Sequence, residues 1–143
     1  MREILFRGKT PDGDWTYGYY VFTPKRTGAF GQVVTCSDFD RHYILTMKFN
    51  IVKEVIFSTV GQYTGLTDKK GNKIFEGDIL CVDIVSGVVL FKNGCFVFHW
   101  KNNDKYRSDF YKDCIFTNYG RFNELEVIGN IHDNPELLKG GAE

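Results

Sequence analysis

The chain has 143 residues, and its 18 Lys and Arg residues balance its 18 Asp and Glu residues. This length corresponds to about one domain, and the balance excludes a global field that would draw the chain onto nucleic acid or an anionic membrane. Aromatic residues make up 16% of the chain and 15 Gly separate its short apolar runs, so the composition predicts a sheet protein with many tight turns.

The cysteines and the N-terminus indicate the cellular setting. The four Cys are scattered, with no CxxC and no Cys-His pair at metal-ligand spacing, which favours reduced thiols in a cytosolic protein. The charged opening MREILFRGKT does not have the pattern of a signal peptide, and no run approaches the ~20 apolar residues of a membrane span. We therefore expect a soluble protein that stays inside the cell and does not contact a membrane.

Strand-like runs open the chain. Glu3–Arg7 and Trp15–Phe22 are predicted strands, separated by a Pro-Asp-Gly-Asp turn. Because strand side chains alternate, four residues of WTYGYYVF share one face: Trp15, Tyr17, Tyr19 and Val21. Gln32–Cys36 and Ile51–Phe57 are further candidate strands, and residues 23–50 are interpreted as an irregular excursion.

Three apolar runs mark the second half of the chain, Asp78–Val85, Val88–Phe91 and Cys95–Trp100, joined at Ser86-Gly87 and at Asn93-Gly94. Asn-Gly between alternating runs predicts a hairpin with a type I′ turn, which needs positive φ at both central residues. The third run places three rings on one face, which we predict to be the core face: Phe96, Phe98 and Trp100.

Two more strands, Ile115–Tyr119 and Leu125–Ile131, complete the predicted sheet. A short C-terminal helix is predicted to follow, because Asn134 can cap it, Pro135 suits its first position and Glu136 lies near the positive end of its dipole.

The sequence contains no recognisable catalytic or metal-binding motif. His42, His99 and His132 are far apart and lack a Cys, Asp or Glu at ligand spacing, and no GxSxG elbow occurs. The glycines of Thr64-Gly65 and Lys70-Gly71 fit neither GxGxxG nor GxxxxGK, so turns explain them better than a phosphate site. We expect no cofactor and no enzymatic activity, with a small enzyme as the least favoured alternative.

The segment His99–Arg121 interleaves cations with rings, which suits single-stranded nucleic acid, where rings stack on bases at ~1–3 kcal/mol each. The candidate contact residues, for nucleic acid or another partner, are Trp100, Lys101, Lys105, Tyr106, Arg107, Tyr111 and Lys112. The alternative is an ordinary strand pair with solvated charges and core rings, since Asp104, Asp109 and Asp113 reduce five positive charges to a net charge of two.

The run QYTGLTDKKGNKIFEGDIL, from Gln62 to Leu80, resembles the hallmark of the YopX family of phage and prophage proteins. The opening REILFRGK, the segments GVV and NG of the central hairpin, and VIGNIHDNPELL near the end also resemble that family. Residues 23–50 carry no recognisable marker of it.

The resemblance implies one mainly β domain over residues 1–143. An N-terminal β segment covers residues 1–58, and residues 59–143 are similar to an SH3-type β-barrel followed by the short C-terminal helix. Within the hallmark run, five residues are interpreted as a fold signature because they suit turns and the start of a strand: Gly65, Asp68, Gly71, Gly77 and Asp78.

For function, the resemblance implies a protein of a bacteriophage or integrated element, and it brings no catalytic residue. We expect a non-catalytic binding module in the bacterial cytoplasm, whose partner is a phage or host protein or single-stranded nucleic acid. The alternative is a self-associating accessory protein, a homo-oligomer in which the rings of Trp15–Phe22 are buried between identical subunits.

Overall fold

The computed structural model describes residues 2–24, 40–83, 85–101, 111–115 and 124–138. These residues form two antiparallel sheets and two short 3₁₀ helices, so the predicted mainly β fold is confirmed. The strands are β1 (Phe6–Lys9), β2 (Trp15–Thr23), β3 (Arg41–Thr46), β4 (Val52–Glu54), β5 (Gly61–Thr67), β6 (Lys73–Phe75), β7 (Asp78–Val82), β8 (Val85–Lys92), β9 (Cys95–Lys101), β10 (Tyr111–Ile115) and β11 (Glu126–Asn130). The 3₁₀ helices are Phe57–Thr59 and Pro135–Leu138.

The chain divides into two compact units. Glu3–Gln62 form the N-terminal unit, and Tyr63–Glu143 together with Met1–Arg2 form the C-terminal unit. The boundary predicted from the sequence, between residues 58 and 59, lies close to this division. The assignment of the whole chain to one domain stays a prediction.

The N-terminal unit is built on strands in the order β4-β3-β2-β1, and the first two residues of β5, Gly61 and Gln62, pair with β1. The first strand is displaced from the predicted Glu3–Arg7, while β2 agrees with the predicted Trp15–Phe22. β2 pairs with β1 on one side and with β3 on the other, and the buried apolar residues of this unit include Leu5, Ile44 and Val55.

Strand β3 corrects the interpretation of residues 23–50 as irregular. Its sequence RHYILT forms a strand that pairs with β2 from Gly18↔Thr46 to Thr23↔Arg41. The strand predicted over Ile51–Phe57 is shorter than expected, since β4 ends at Glu54 and a 3₁₀ helix follows. The predicted strand Gln32–Cys36 lies outside the described residues.

The C-terminal unit contains a five-stranded sheet of order β10-β9-β8-β7-β11 and the antiparallel pair β5–β6. Its core cluster consists of Ile74, Leu80, Val82, Val89, Phe98 and Leu125. Phe96 and Trp100 pack against this cluster, so the predicted core face of β9 is confirmed.

The two predicted turns of this sheet have different outcomes. Asn93 and Gly94 have φ of 51° and 80°, as the predicted type I′ turn between β8 and β9 requires. The turn predicted at Ser86-Gly87 is wrong, because β7 ends at Val82 and β8 already begins at Val85. Gly87 is needed for another reason: a Cβ there would lie 2.5 Å from the carbonyl oxygen of His99 on β9.

The hallmark run folds into strands joined by hydrogen-bonded turns. Gly65 lies within β5 with φ of 89°, and Gly71 closes the β5–β6 turn with φ of 85° by donating its N–H to the Asp68 carbonyl. Gly77 has φ of 87° and donates its N–H to the Val89 carbonyl at 2.8 Å. The Asp78 carboxylate accepts a hydrogen bond from the Phe75 N–H at 2.8 Å.

Two finer features of the predicted fold differ from the structure. Among the described residues, β10 and β11 are the edges of the five-stranded sheet and do not pair with each other, so the sheet is not closed into the expected SH3-type barrel. The C-terminal segment forms a 3₁₀ turn over Pro135–Leu138 instead of an α-helix, with the Leu137 N–H bonded to the Asn134 carbonyl. No helix in the described part of the chain is long and apolar enough to span a membrane.

Candidate binding surfaces

The aromatic and basic segment predicted to bind a partner is described in part. Trp100 lies at the end of β9, and Lys101, Tyr111 and Lys112 are placed by their backbone in β9 and β10. Three further candidates, Lys105, Tyr106 and Arg107, lie outside the described residues.

The register of β9 and β10 brings four of the seven candidates together. Lys112 is directly opposite Trp100, and Tyr111 is directly opposite Lys101. The backbone register therefore places these four positions in two directly opposed pairs at one end of the strand pair.

Trp100 also has a structural role. Its ring stacks on Phe98 with the centroids 5.2 Å apart, and it packs against the core cluster of the C-terminal unit while remaining half-buried. Part of the ring therefore supports the core, and only the remainder is accessible to a ligand.

The large apolar side chains that are exposed to solvent are concentrated in the N-terminal unit. Of fourteen such residues in the described part of the chain, eleven lie between Ile4 and Phe57. Contiguous exposed apolar surface marks interaction sites in soluble proteins. Among the described residues, the candidate interaction surfaces therefore lie mainly in the N-terminal unit.

One face of β2 is the first such surface. Tyr17 and Tyr19 are 47% and 50% exposed, and Val21 follows on the same face. Val52 of β4 belongs to this face by register, since it is opposite Leu45, which is opposite Tyr19. We call Tyr17, Tyr19, Val21 and Val52 the tyrosine face.

Two cations lie at one end of the tyrosine face. The guanidinium carbon of Arg7 is 4.8 Å from the centroid of the Trp15 ring, and the Lys9 ammonium is 5.9 Å from it. These cation–π contacts cover the tryptophan. The tyrosines further along β2 keep their exposed ring surface.

The opposite face of the same sheet carries an aromatic stack. The His42 ring stacks on Phe57 at 4.3 Å and on Phe22 at 5.1 Å between centroids. The Tyr20 hydroxyl and the His42 Nδ1 are 2.6 Å apart, and burial raises the pKa of Tyr20. Phe22 and Phe57 are exposed, so this stack is open to solvent.

The connection between β3 and β4 is a third exposed apolar feature. We call residues 47–51 the hairpin tip. Its apolar side chains Met47, Phe49 and Ile51 are all exposed, and Phe49, at 72%, is the most exposed large apolar residue that the structure describes.

The fold-signature residues hold the C-terminal unit together. The buried Asp68 carboxylate accepts hydrogen bonds from the backbone N–H groups of Lys70, Asn72 and Val127 and from the Asn72 side chain. Burial favours a higher pKa for Asp68, but these hydrogen bonds outweigh it and the pKa lies below its usual value.

Two of the three lysines of the hallmark run, Lys69 and Lys70, are exposed and pair with one carboxylate. Lys69 lies 2.6 Å from Glu126, and Lys70 also contacts Glu126. The hydrogen bonds from Lys69 and then Lys70 lower the pKa of Glu126, and the hydrogen bond to Glu126 raises the pKa of Lys69. The described residues contain no group of three His, Cys, Asp or Glu side chains that could hold a metal ion.

Comparison with known proteins identifies the family. The model of the YopX protein family matches residues 6–139, nearly the whole chain. The chain belongs to the YopX family. The resemblance noted in the sequence is thus confirmed.

The solved structures that are similar to this YopX-family chain include a protein of Enterococcus faecalis. The crystal structure of protein EF1440 from Enterococcus faecalis matches with 23% sequence identity and a TM-score of 0.48, covering 96% of this chain and 99% of that chain. No curated protein matches the chain significantly.

Sequence reasoning missed the hairpin tip of this YopX-family chain and found the tyrosine face only in part. The alternation in WTYGYYVF correctly placed three of its residues on one face, and the alternative of self-association used those rings. The tip lies partly in the stretch interpreted as irregular. The signal that could have found it is the run MKFNIV, which has apolar residues on both sides of Asn50.

Proposed function

We propose that this YopX-family protein is a non-catalytic binding module, encoded by a phage or prophage and acting in the bacterial cytoplasm, that docks a protein partner through its N-terminal unit. The phage origin and the cytoplasmic setting rest on the family resemblance and on the sequence. The binding role rests on the tyrosine face.

The observation that carries the proposal is the exposure of Tyr17, Tyr19 and Val21 on one face of β2. A sheet face exposed to water normally presents polar side chains. Tyrosine is enriched in protein interfaces because its ring offers a large apolar area and its hydroxyl can still find a hydrogen-bond partner. A partner that covers this face would remove the apolar ring surface of both tyrosines from water. Their hydroxyls would hydrogen-bond to polar groups of the partner.

Capture of partners from lysogenic cells tests the proposal. The wild-type chain serves as bait beside the double variant Tyr17→Asp with Tyr19→Asp, which places charges at two exposed positions. Phe91→Ser, an exposed ring of the C-terminal unit, is the matched control. We expect wild-type and control chains to retain a protein that the double variant loses, and equal retention by all three would contradict the proposal.

Single-stranded nucleic acid is the second candidate ligand, and the register of β9 and β10 favours it. Trp100 is opposite Lys112 and Lys101 is opposite Tyr111, so these four positions lie at one end of the strand pair. Each phosphate neutralised on a single strand contributes about 0.7 to the slope of log affinity against log salt. With Lys105 and Arg107 included, four cations predict a slope no steeper than about −3.

Oligonucleotide titration at several salt concentrations tests this second candidate. Lys101→Ala with Lys112→Ala should lower the affinity and flatten the slope, while Lys48→Ala, at an exposed position of the hairpin tip, serves as the control. Two results would contradict nucleic-acid binding. One is no detectable affinity for oligonucleotides at low salt, and the other is equal affinity of the double variant and the Lys48→Ala control.

A further inference from the structure

The hairpin tip is held in a defined conformation. The Thr46 N–H donates to the Ile51 carbonyl at 2.8 Å, and the Ile51 N–H donates to the Thr46 hydroxyl at 3.3 Å. Asn50 has φ of 50°, a left-handed conformation that asparagine tolerates better than most residues. The hydrogen bonds thus join both ends of the tip.

The strand that leads into the tip is anchored in the N-terminal unit. Ile44 of β3 is fully buried and pairs with Lys53 of β4. Beyond this anchor, Met47, Phe49 and Ile51 project from a short hydrogen-bonded turn. A partner that takes up Phe49 loses little conformational entropy from the backbone, because the turn is ordered before binding.

Positive charge accompanies the exposed apolar side chains of the tip. Between Met47 and Lys53 the chain carries two exposed cations, Lys48 and Lys53, and no carboxylate. A surface that pairs with this segment gains from negative charge around an apolar centre. An aromatic anchor in a desolvated pocket, with charges at its rim, is the usual arrangement of a binding hot spot.

We infer that the hairpin tip inserts Phe49 into an apolar pocket of the protein partner and that acidic residues at the rim of this pocket face Lys48 and Lys53. The inference rests on the proposed function, since it describes the chemistry of that same partner. A second copy of this chain is a poor occupant because two tips in contact would bring Lys48 of both copies together. An anionic bilayer is also poorly matched, since surface-binding segments typically carry about four to eight basic residues.

The experiment uses the partner protein that the wild-type chain retains from lysogenic cells, identified, purified and titrated against variants of the full chain. Phe49→Ser should raise the Kd more than about tenfold, while Phe91→Ser leaves it unchanged. Lys48→Glu with Lys53→Glu should weaken binding at low salt, and the loss should shrink at high salt. Lys48→Arg with Lys53→Arg keeps the charge and should bind like the wild type.

Each outcome separates the inference from the proposed function. Binding that is lost in Tyr17→Asp with Tyr19→Asp but kept in Phe49→Ser would overturn the inference and leave the proposed function standing. No retained protein at all would overturn both. Phe49-dependent binding to vesicles of phosphatidylcholine with phosphatidylserine, in place of a protein, would overturn the acidic pocket in favour of lipid.

Discussion

Asp68 illustrates how one side chain organises the β5–β6 turn. Its carboxylate accepts backbone hydrogen bonds from Lys70 and Asn72 within the turn and from Val127 on β11. A single buried charge therefore joins a local turn to a strand that is distant in the sequence. The short aspartate side chain suits this role because it can accept bonds from the backbone two residues further on.

Asp68→Asn is expected to lower the free energy of unfolding near neutral pH by about 1–3 kcal/mol, because buried N–H groups lose a charged acceptor. The pKa of Asp68 is lower in the folded state than its usual value of about 3.9. Its stabilisation is therefore present above that value and is lost as the pH falls toward the lower folded-state pKa. Urea unfolding at a series of pH values measures both effects.

The matched control for Asp68 is Asp12→Asn, at an exposed turn position. It should unfold like the wild type at every pH. The difference in stability between wild type and Asp68→Asn should narrow as the pH falls below about 4. A difference that stays constant over this range would show that the charge of Asp68 does not contribute.

Gly77 is a second residue whose backbone conformation determines its identity. Its φ of 87° is costly for residues with a Cβ and worst for β-branched ones, and its carbonyl accepts a bond from the Ile131 N–H. Gly77→Val is therefore expected to destabilise the fold by more than about 1 kcal/mol. Thermal unfolding beside Thr67→Val, at an exposed position of β5, checks this, and an unchanged Tm would argue against it.

At the scale of elements, local signals predicted the parts of the fold that local chemistry determines. β2 and β9 are rich in aromatic and β-branched residues, and the turn at Asn93-Gly94 needs two positive φ values that few other residues accept. β3 was missed because its run is short and follows a stretch without periodicity. The closed barrel was an inference from family resemblance, and closure depends on distant pairing of edge strands, which alternation does not report.

The candidate surfaces were likewise predicted only in part. Alternation identifies which residues of β2 share a face, but it gives no information on whether a neighbouring element covers that face. Tyr17 and Tyr19 are therefore assigned to a face by the sequence, and their exposure comes only from the structure. Likewise, the pairing of Trp100 with Lys112 depends on a register that the sequence did not specify.

Gly18 shows how tightly two elements can approach. It lies within β2, and a Cβ at this position would be 1.9 Å from the carbonyl oxygen of Leu45 on β3. We expect Gly18→Ala to separate the strands and to cost about 1–3 kcal/mol of stability. Gly71→Ala is the informative comparison, because its φ is positive but the space around it is open.

Chemical unfolding of the two glycine variants distinguishes steric from conformational cost. Gly71→Ala should lose about 1 kcal/mol or less, from backbone strain alone. Gly18→Ala should lose more and should also alter the amide resonances of β3. Equal losses of stability in both variants would show that the requirement for glycine at position 18 is not steric.

At the scale of the whole molecule, the charge balance gives no long-range attraction, whereas the exposed apolar side chains favour local association. The net charge is zero, so neither repulsion between copies nor attraction to polyanions acts at long range. Association is therefore governed by local surfaces, and eleven of the fourteen exposed large apolar residues that the structure describes lie in the N-terminal unit. Whether those surfaces accept a second copy depends on local geometry and local charge.

The edge strand β4 disfavours self-pairing. Two backbone hydrogen bonds at either end of β4 show which of its groups face β3. The Thr46 N–H donates to the Ile51 carbonyl, and the Val55 N–H donates to the His42 carbonyl. By alternation, Val52 and Glu54 turn their backbone groups to the outer edge, and Lys53 turns its groups inward. A symmetric antiparallel pair can therefore form only in registers that keep this alternation.

Each such register places residues of the two copies opposite each other in unfavourable pairs. One places Lys53 opposite its own copy, and the next places Glu54 opposite its own copy, so like charges meet in both. A third register places Val52 opposite Val52 of the other copy. It also places Glu54 opposite Asn50, whose left-handed φ of 50° ends the strand. We therefore predict a chain that stays monomeric as its concentration rises. Light scattering after size exclusion tests this: a concentration-dependent dimer that Tyr17→Asp with Tyr19→Asp abolishes would favour self-association through the tyrosine face instead.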